Sequence, residues 1–413
     1  MGKLAVNGGA PVRTAPFPSW PVWDKREEEA VLGAVRSGVW GGLPDTKVRE
    51  FGSAFAKAQD ARYGIGVNCG THALQVALRA LDVKWGDEVI VPAITWIATP
   101  QAALYIGAVA IYCDVDPETF NMDPQKIEAL ITPRTRAIIP VHWGGLPADL
   151  DAILEIGRKH GIPVVEDAAH AHGAKWRGKG CGSWGALGGF SFQQSKTITA
   201  GEGGCILTSD KRLAEICTSL INCGRVESGD EYLTESPFGY NFRLTTLHAA
   251  LLLAQLTRLE ELSEKRQASA RFLDAELAKI EGIRPLRRDP RVTRQGYYIY
   301  HLRYDAAGFG GLPRAQLTKA LRAEGIPVGG GGSLVYRSPL MAQAAQACCA
   351  LSVHAAGAPI DYSKVSCPEA ERIEAEVALR MQQSLLLAEQ SDLEDVVRAF
   401  RKVREHAREL VPA

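Results

Sequence analysis

The chain has no C-x-x-C pair, no run of about 18 apolar residues and no excess of either charge, and each absence excludes a class of function. Nine cysteines, an odd number that includes the adjacent Cys348 and Cys349, fall at spacings of neither a zinc site nor a redox dithiol. They read as reduced thiols used for packing. Lys plus Arg and Asp plus Glu both number 47, which gives nucleic acid or an anionic membrane nothing to bind, so the expected partner is a small molecule or a second copy of the chain. The opening "MGKLAVNGGAPVRTAPFP" lacks an apolar signal core, and the expected location is the cytoplasm. No internal repeat is present.

What the chain does have is length and alternation. Its 413 residues, 46% of them hydrophobic, suffice for two to three domains. From about 60 to 210, short β-rich runs ("YGIGVN", "DEVIVPA", "AVAIYCDV", "TRAIIPV", "IPVVED") alternate with helical segments such as "THALQVALRALDV" and "DLDAILEIGRKHG". That pattern predicts an α/β fold with a mostly parallel sheet covered on both faces. A long helical stretch is expected from Thr246 to Leu277. Beyond it come a strand at "GYYIYHLRYD", a helix near "RAQLTKALRAEG", the "GGGGS" loop at 329–333 and two terminal helices. The predicted division is a large domain over 1–257, with the N-terminal segment, and a small C-terminal α+β domain over 258–413.

Lys196, in "GFSFQQSKTITAGEGG", is the residue that asks for an explanation. It does not belong to a phosphate-binding loop of the form G-x-x-x-x-G-K-[ST], because Ser195 and Phe190 stand where glycines are required. Gly180, Gly182 and Gly185 of "GCGSWG" match G-x-G-x-x-G but follow a polar segment and lead into a strand, the reverse of a dinucleotide fingerprint. They read as a turn-rich loop. An isolated lysine is by default a solvated charge; the company Lys196 keeps argues otherwise.

Asp167 closes a strand in "VVEDAAHAHGA", where open α/β sheets place ligand sites, and either caps a helix or pairs with a protonated pyridine nitrogen. Gly70 and Thr71 in "NCGTHALQVAL" open a helix, whose free N–H groups suit a phosphate, though Thr71 also reads as a simple N-cap. Ser191 offers a further hydroxyl. Trp96 in "PAITWIATP" either stacks on an aromatic ring or packs in the protein. These signals follow successive strands of one sheet, and Lys196, able to form a Schiff base, follows them.

Taken together, the order Gly-Thr, Trp, Glu-Asp-x-x-His, Ser-Phe-x-x-x-Lys, Gly-Glu-Gly-Gly resembles the DegT/DnrJ/EryC1/StrS family of pyridoxal-phosphate aminotransferases, and the likeness covers nearly the whole chain. The resemblance implies fold type I and pyridoxal 5'-phosphate as cofactor, with the pyridoxamine form alternating. It implies Lys196 as the covalent attachment point, Asp167 on the pyridine nitrogen and His170 near the phenolic oxygen. Trp96 would stack on the ring, and Gly70, Thr71 and Ser191 would hold the phosphate. It also implies a homodimer in which Asn241 of "GYNFR" reaches the partner's phosphate. Where sugar-nucleotide members carry "H-x-Y-G", this chain has "VHWGG", with His142 kept and Trp143 changed. The glutamines beside Lys196 and the N-terminal "GGAPVR" resemble the branch that aminates ketocyclitols such as scyllo-inosose and its 2-deoxy relative, with L-glutamine as donor, for aminoglycoside-type antibiotics. The alternatives are an aminotransferase of nucleotide-linked keto sugars and a non-catalytic cofactor-binding protein on the same fold; a related dehydratase carries histidine in place of the lysine.

Other residues keep two readings. His142 either touches substrate or is buried against a backbone partner. Arg243 either binds a carboxylate or braces an interface, and Glu202 either orients the lysine loop or caps it. His170 and His172 lack a metal-ligand pattern, and no metal is expected. The 329–333 glycines read as a mobile loop that could cover the site.

Overall fold

A computed structural model describes residues 2–43, 45–227, 231–233, 238–331, 334–347 and 361–411. Cys348, Cys349 and the last two residues of the "GGGGS" loop, 332 and 333, lie outside them.

The first seven main strands are β1 (Tyr63–Val67), β2 (Glu88–Pro92), β3 (Val109–Cys113), β4 (Thr135–Ile138), β5 (Val165–Asp167), β6 (Leu187–Ser191) and β7 (Gly204–Thr208). Two hydrogen-bonded groups, β3-β2-β4 and β5-β6-β7-β1, join through parallel bridges at Ile138–Val164 and Val141–Asp167. The order is therefore β3-β2-β4-β5-β6-β7-β1. Neighbours are parallel except around β7, which runs antiparallel to both β6 and β1. Every residue of β2, β6 and β7 is buried, as strands covered on both faces require. Helices Gly70–Ala80, Ala98–Leu104 and Leu150–His160 connect β1 to β2, β2 to β3 and β4 to β5. Asp149 caps the helix Leu150–His160 by accepting from the Ala152 N–H, and Gly161, at φ 65°, ends it in the left-handed conformation that glycine adopts without strain.

The expected long helix from Thr246 to Leu277 is two helices, Thr246–Leu256 and Leu259–Leu277. The break sits where Arg258 is clamped: its Nε lies 2.7 Å from Glu27 Oε1 and its Nη2 2.7 Å from Asp24 Oδ2, on the helix Lys25–Ser37 and its cap. Beyond it, β8 (Ile283–Pro285), β9 (Ile299–Tyr304), β10 (Gly329–Gly330) and β11 (Ala378–Gln382) form an antiparallel sheet in the order β8-β9-β11-β10. Helices Leu259–Leu277, Arg314–Ala323 and Gln390–Glu405 share a core with it that includes Leu273, Leu302, Leu317, Leu379 and Phe400. Leu4 is fully buried in that second core rather than the first, so the N-terminal segment packs with the C-terminal elements. The division at 257/258 stays our proposal.

Two terminal helices were expected, and one long one is found. The segment "ALRMQ", made of good helix formers, is instead strand β11, because pairing with β9 and β10 on its two sides overrides local propensity. Among the described residues no helix is long and apolar enough to cross a membrane. The described cysteines are all unpaired, with Cys113, Cys181, Cys205, Cys217 and Cys367 buried.

Candidate active site

The carboxyl ends of β2, β5 and β6 and the turn after β1 open onto one cleft of about 430 Å³. Its lining brings together Lys196, Asp167, His170, Gly70, Thr71, Trp96 and Ser191. Asn241 is exposed, bridged to Asn222, and is not part of this chain's own cleft lining.

Asp167 is buried in the cleft floor. Its Oδ2 accepts from the Thr99 hydroxyl at 2.7 Å and its Oδ1 from the Ala169 N–H at 3.2 Å. Burial pushes the carboxyl pKa up, against those two bonds and the charge of Lys196, and the result lies above the ordinary value. Lys196 is 8% exposed, and burial lowers its amine to about 8 against the pull of Asp167. The pair is thus a carboxyl with only neutral donors in contact and an amine whose charge burial opposes. Such opposed shifts in one cleft mark groups tuned for proton transfer.

His170 accepts from the Gly144 N–H through Nδ1 at 3.3 Å, which leaves its proton on Nε2. Burial, then the charge of Lys196, keeps it well below the ordinary histidine range and so neutral. Trp96 stands at the lip, 62% exposed. Gly70 lies so close to Ser191 that a Cβ there would stand 2.6 Å from the serine Cβ. Only glycine lets the first turn of the helix Gly70–Ala80 and the Ser191 hydroxyl share that space, and the first N–H groups of a helix have no carbonyl partner within it.

His142 is fully buried and does not line the cleft. Its Nδ1 accepts from the Ala148 N–H and its Nε2 donates to Glu166 Oε2 at 2.9 Å. Glu166 also accepts from the N–H groups of Gly182, Trp184 and Gly185. Burial pushes Glu166 up, but the His142 bond and these N–H groups outweigh it, so the carboxylate persists below the ordinary value. The pair braces the strand that delivers Asp167. Glu166→Ala strips these donors of their acceptor in a fully buried place and is expected to destabilise the fold by about 3–5 kcal/mol in a denaturant titration; a loss under about 1 kcal/mol would contradict this account. Arg243 donates to Asn222 Oδ1 at 3.0 Å, and Glu202 lines the cleft.

Further residues that the site uses escaped the reading of the sequence. Thr99, fully buried behind the lining, holds Asp167 through its hydroxyl, and its place three residues past Trp96 marks nothing on its own. Tyr298, Arg380 and Gln382 come from the C-terminal sheet, and nothing local in the sequence points them at Lys196. Among the described residues, no group of His, Cys, Asp and Glu able to hold a metal is found.

This fold, a mostly parallel sheet followed by a smaller antiparallel one, is matched by solved aminotransferases and their relatives. The crystal structure of 3-amino-5-hydroxybenzoic acid synthase, 33% identical, superposes with a TM-score of 0.84 over 96% of this chain and 100% of that one. Residues 21–381 match the DegT/DnrJ/EryC1/StrS aminotransferase family, and the chain belongs to it as an aminotransferase of fold type I. The L-glutamine:2-deoxy-scyllo-inosose aminotransferase of Micromonospora echinospora is 38% identical, across 99% of this chain and 100% of its own. A protein of Streptomyces kanamyceticus provisionally assigned as an L-glutamine:3-amino-2,3-dideoxy-scyllo-inosose aminotransferase is 40% identical, across 99% of this chain and 98% of its own.

Proposed function

We propose that this aminotransferase moves the amino group of L-glutamine to a ketone carbon of a ketocyclitol of the scyllo-inosose type, with pyridoxal phosphate held in the cleft. The observation that carries the choice of acceptor is the charge of the lining. Apart from Lys196, Arg380 is the one cationic side chain among the described lining residues; beside the acids Asp167 and Glu202 they offer neutral polar groups that include Gln193, Ser195, Tyr298 and Gln382. One guanidinium suits the carboxylate of an amino-acid donor, and neutral donors and acceptors suit the hydroxyls of a cyclitol. A nucleotide-linked sugar brings a diphosphate, for which this lining has no second guanidinium.

The cleft fits the cofactor on its own terms. Asp167, buried with only neutral donors in contact, is the carboxylate a protonated ring nitrogen would neutralise, and the narrow Gly70–Ser191 approach makes a cradle that a side chain would fill. When bound, pyridoxal phosphate supplies the carbonyl that takes up the amine and a ring that accepts an electron pair. Lys196 would join it as a Schiff base. Its Nζ would be the base that takes the proton from the α-carbon of the donor and, in the second half-reaction, gives one to the acceptor carbon. Asp167 would hold the ring nitrogen protonated, the neutral His170 would lie beside the ring, and Trp96 would cover it. Gly70, Thr71 and Ser191 would grip the phosphate.

The reading is tested by incubating the purified chain with L-glutamine and 2-deoxy-scyllo-inosose and weighing the products. Formation of the cyclitol amine supports it. Failure there, with amination of a nucleotide-linked keto sugar by L-glutamate, would replace it with the rival.

The same reading includes a homodimer with Asn241 reaching the partner's phosphate. Trp23, Leu32, Val35, Val39 and Trp40 are all exposed apolar side chains, and the groove lined by Trp23 and Leu32 also includes Gln194 and Gly201 of the lysine loop. Asn241→Ala and Lys196→Ala chains, each nearly inactive alone, are expected to regain about a quarter of wild-type activity when mixed and allowed to exchange, since a random mixture is half heterodimer and each heterodimer has one intact site. No recovery despite exchange verified by mass spectrometry would place Asn241 outside the shared site.

A further inference from the structure

Tyr298 touches both Lys196 and the turn that carries it. The Lys196 Nζ lies 4.2 Å from the centre of the Tyr298 ring, over the face that attracts cations. At its other end the phenol lies 2.8 Å from Ser195 Oγ. Because that serine hydroxyl already donates to Gln193 Oε1 at 2.7 Å, the phenol is the donor of the pair. The Ser195 N–H also donates to Gln193 Oε1, at 2.9 Å, so the turn leading to Lys196 is tied at each step. The His170 ring packs on the same tyrosine, with centroids 4.1 Å apart, and limits its rotation.

We propose that Tyr298 is a positioning residue for the released lysine: its ring face holds the protonated Lys196 amine, and its hydroxyl holds the Gln193–Lys196 turn, while the lysine carries the proton taken from the α-carbon of the donor. The proposal rests on the reading of Lys196 as that proton carrier. The titratable groups that face the amine are few. Asp167 favours its charged form; His170 and His172 are neutral through burial; Glu202 and Arg380 line the same cleft. With Asp167 committed to a cofactor nitrogen, the Tyr298 face is the attractive group left in contact with the ammonium. It would keep the amine basic where burial alone pushes it toward neutrality. The hydroxyl and the ring act on different things, so they separate by substitution.

The test uses the cofactor-free chain. Reductive methylation of Lys196 is followed against pH by peptide mass spectrometry, with the wild-type midpoint expected near about 8. Tyr298→Leu removes the ring face and is expected to lower the midpoint by roughly half to one pH unit, whereas Tyr298→Phe keeps the face and shifts it by less than about 0.3. In the loaded enzyme Tyr298→Phe lowers kcat for the glutamine half-reaction roughly 3- to 10-fold with KM unchanged, from the lost bond to Ser195. Circular dichroism checks folding, and Tyr298→Met is read instead if the leucine chain does not fold. A midpoint unmoved by loss of the ring overturns the proposal, as does a phenylalanine shift equal to that of leucine or a phenylalanine chain with wild-type kcat. If Lys196→Ala still transaminates, the functional reading fails while the midpoint shift survives, and the two failures are told apart.

Discussion

Lys196→Ala is expected to lower transamination from L-glutamine by roughly 10⁴-fold or more, while the chain folds and, without cofactor, is no less stable at pH 7 than wild type. On the proposed reading of Lys196, the rate falls because the covalent attachment and the proton-carrying amine are lost together. The stability follows from the sign of the shift on the amine. Burial lowers it to about 8 from an ordinary value of 10.5, so between those limits the unfolded chain binds more protons than the folded one, and wild-type stability rises with pH across that window. Below pH 8 the wild-type fold carries the full penalty of a buried ammonium. Alanine carries none, so the gain of the variant in unfolding midpoint should be largest near pH 7 and shrink toward pH 10. Offsetting this is the contact of the lysine with the Tyr298 ring, worth about 0.5–2 kcal/mol for a cation. Calorimetry at the two pH values, beside a glutamine half-reaction assay, reads both effects. Activity within tenfold of wild type would remove Lys196 from the chemistry.

The elements that carry this chemistry were readable in the sequence to the extent that their signals are local. Strands β1 to β5 announced themselves as short β-rich runs between amphipathic helices, and the family followed from the order of Gly70-Thr71, Trp96, Asp167, His170 and Lys196. What was hidden depends on distant partners. Helix formers in 378–382 become a strand because β9 and β10 flank them, and Arg380 and Gln382 reach the cleft only through that pairing. The break at Thr257–Arg258 reflects Glu27 and Asp24, more than two hundred residues earlier. His142 had two readings that no spacing could separate; the buried carboxylate of Glu166 at its Nε2 separates them. Tyr298 sits in an ordinary β-rich run, and its approach to Lys196 is a property of how the second sheet meets the first.

Asp167→Asn tests the other half of the pair and should give the second large loss, roughly 10²- to 10⁴-fold in turnover, with cofactor still bound. Asparagine keeps an oxygen for the Thr99 hydroxyl and the volume of the site, so its loss of charge is isolated. An amide holds a ring nitrogen by a hydrogen bond but gives no charge to keep it protonated, and the electron sink weakens. The sign of the stability effect again runs opposite to the activity. Burial raises the folded carboxyl above its ordinary value, so its contribution is complete at pH below the unfolded value and is lost as pH rises through the folded one. At neutral pH the native aspartate is therefore held at a penalty in the cofactor-free chain, and asparagine relieves it. Glu166, one residue earlier on the same strand, responds in the other direction, because its carboxylate is matched by His142 and backbone donors, and losing it unfolds rather than stabilises. Adjacent buried acids thus separate by one measurement, the unfolding midpoint at pH 7: up for Asp167→Asn, down for Glu166→Ala. A fall for both would mean that Asp167 is a structural acid like its neighbour, and that the penalty at Lys196 is not part of a tuned pair.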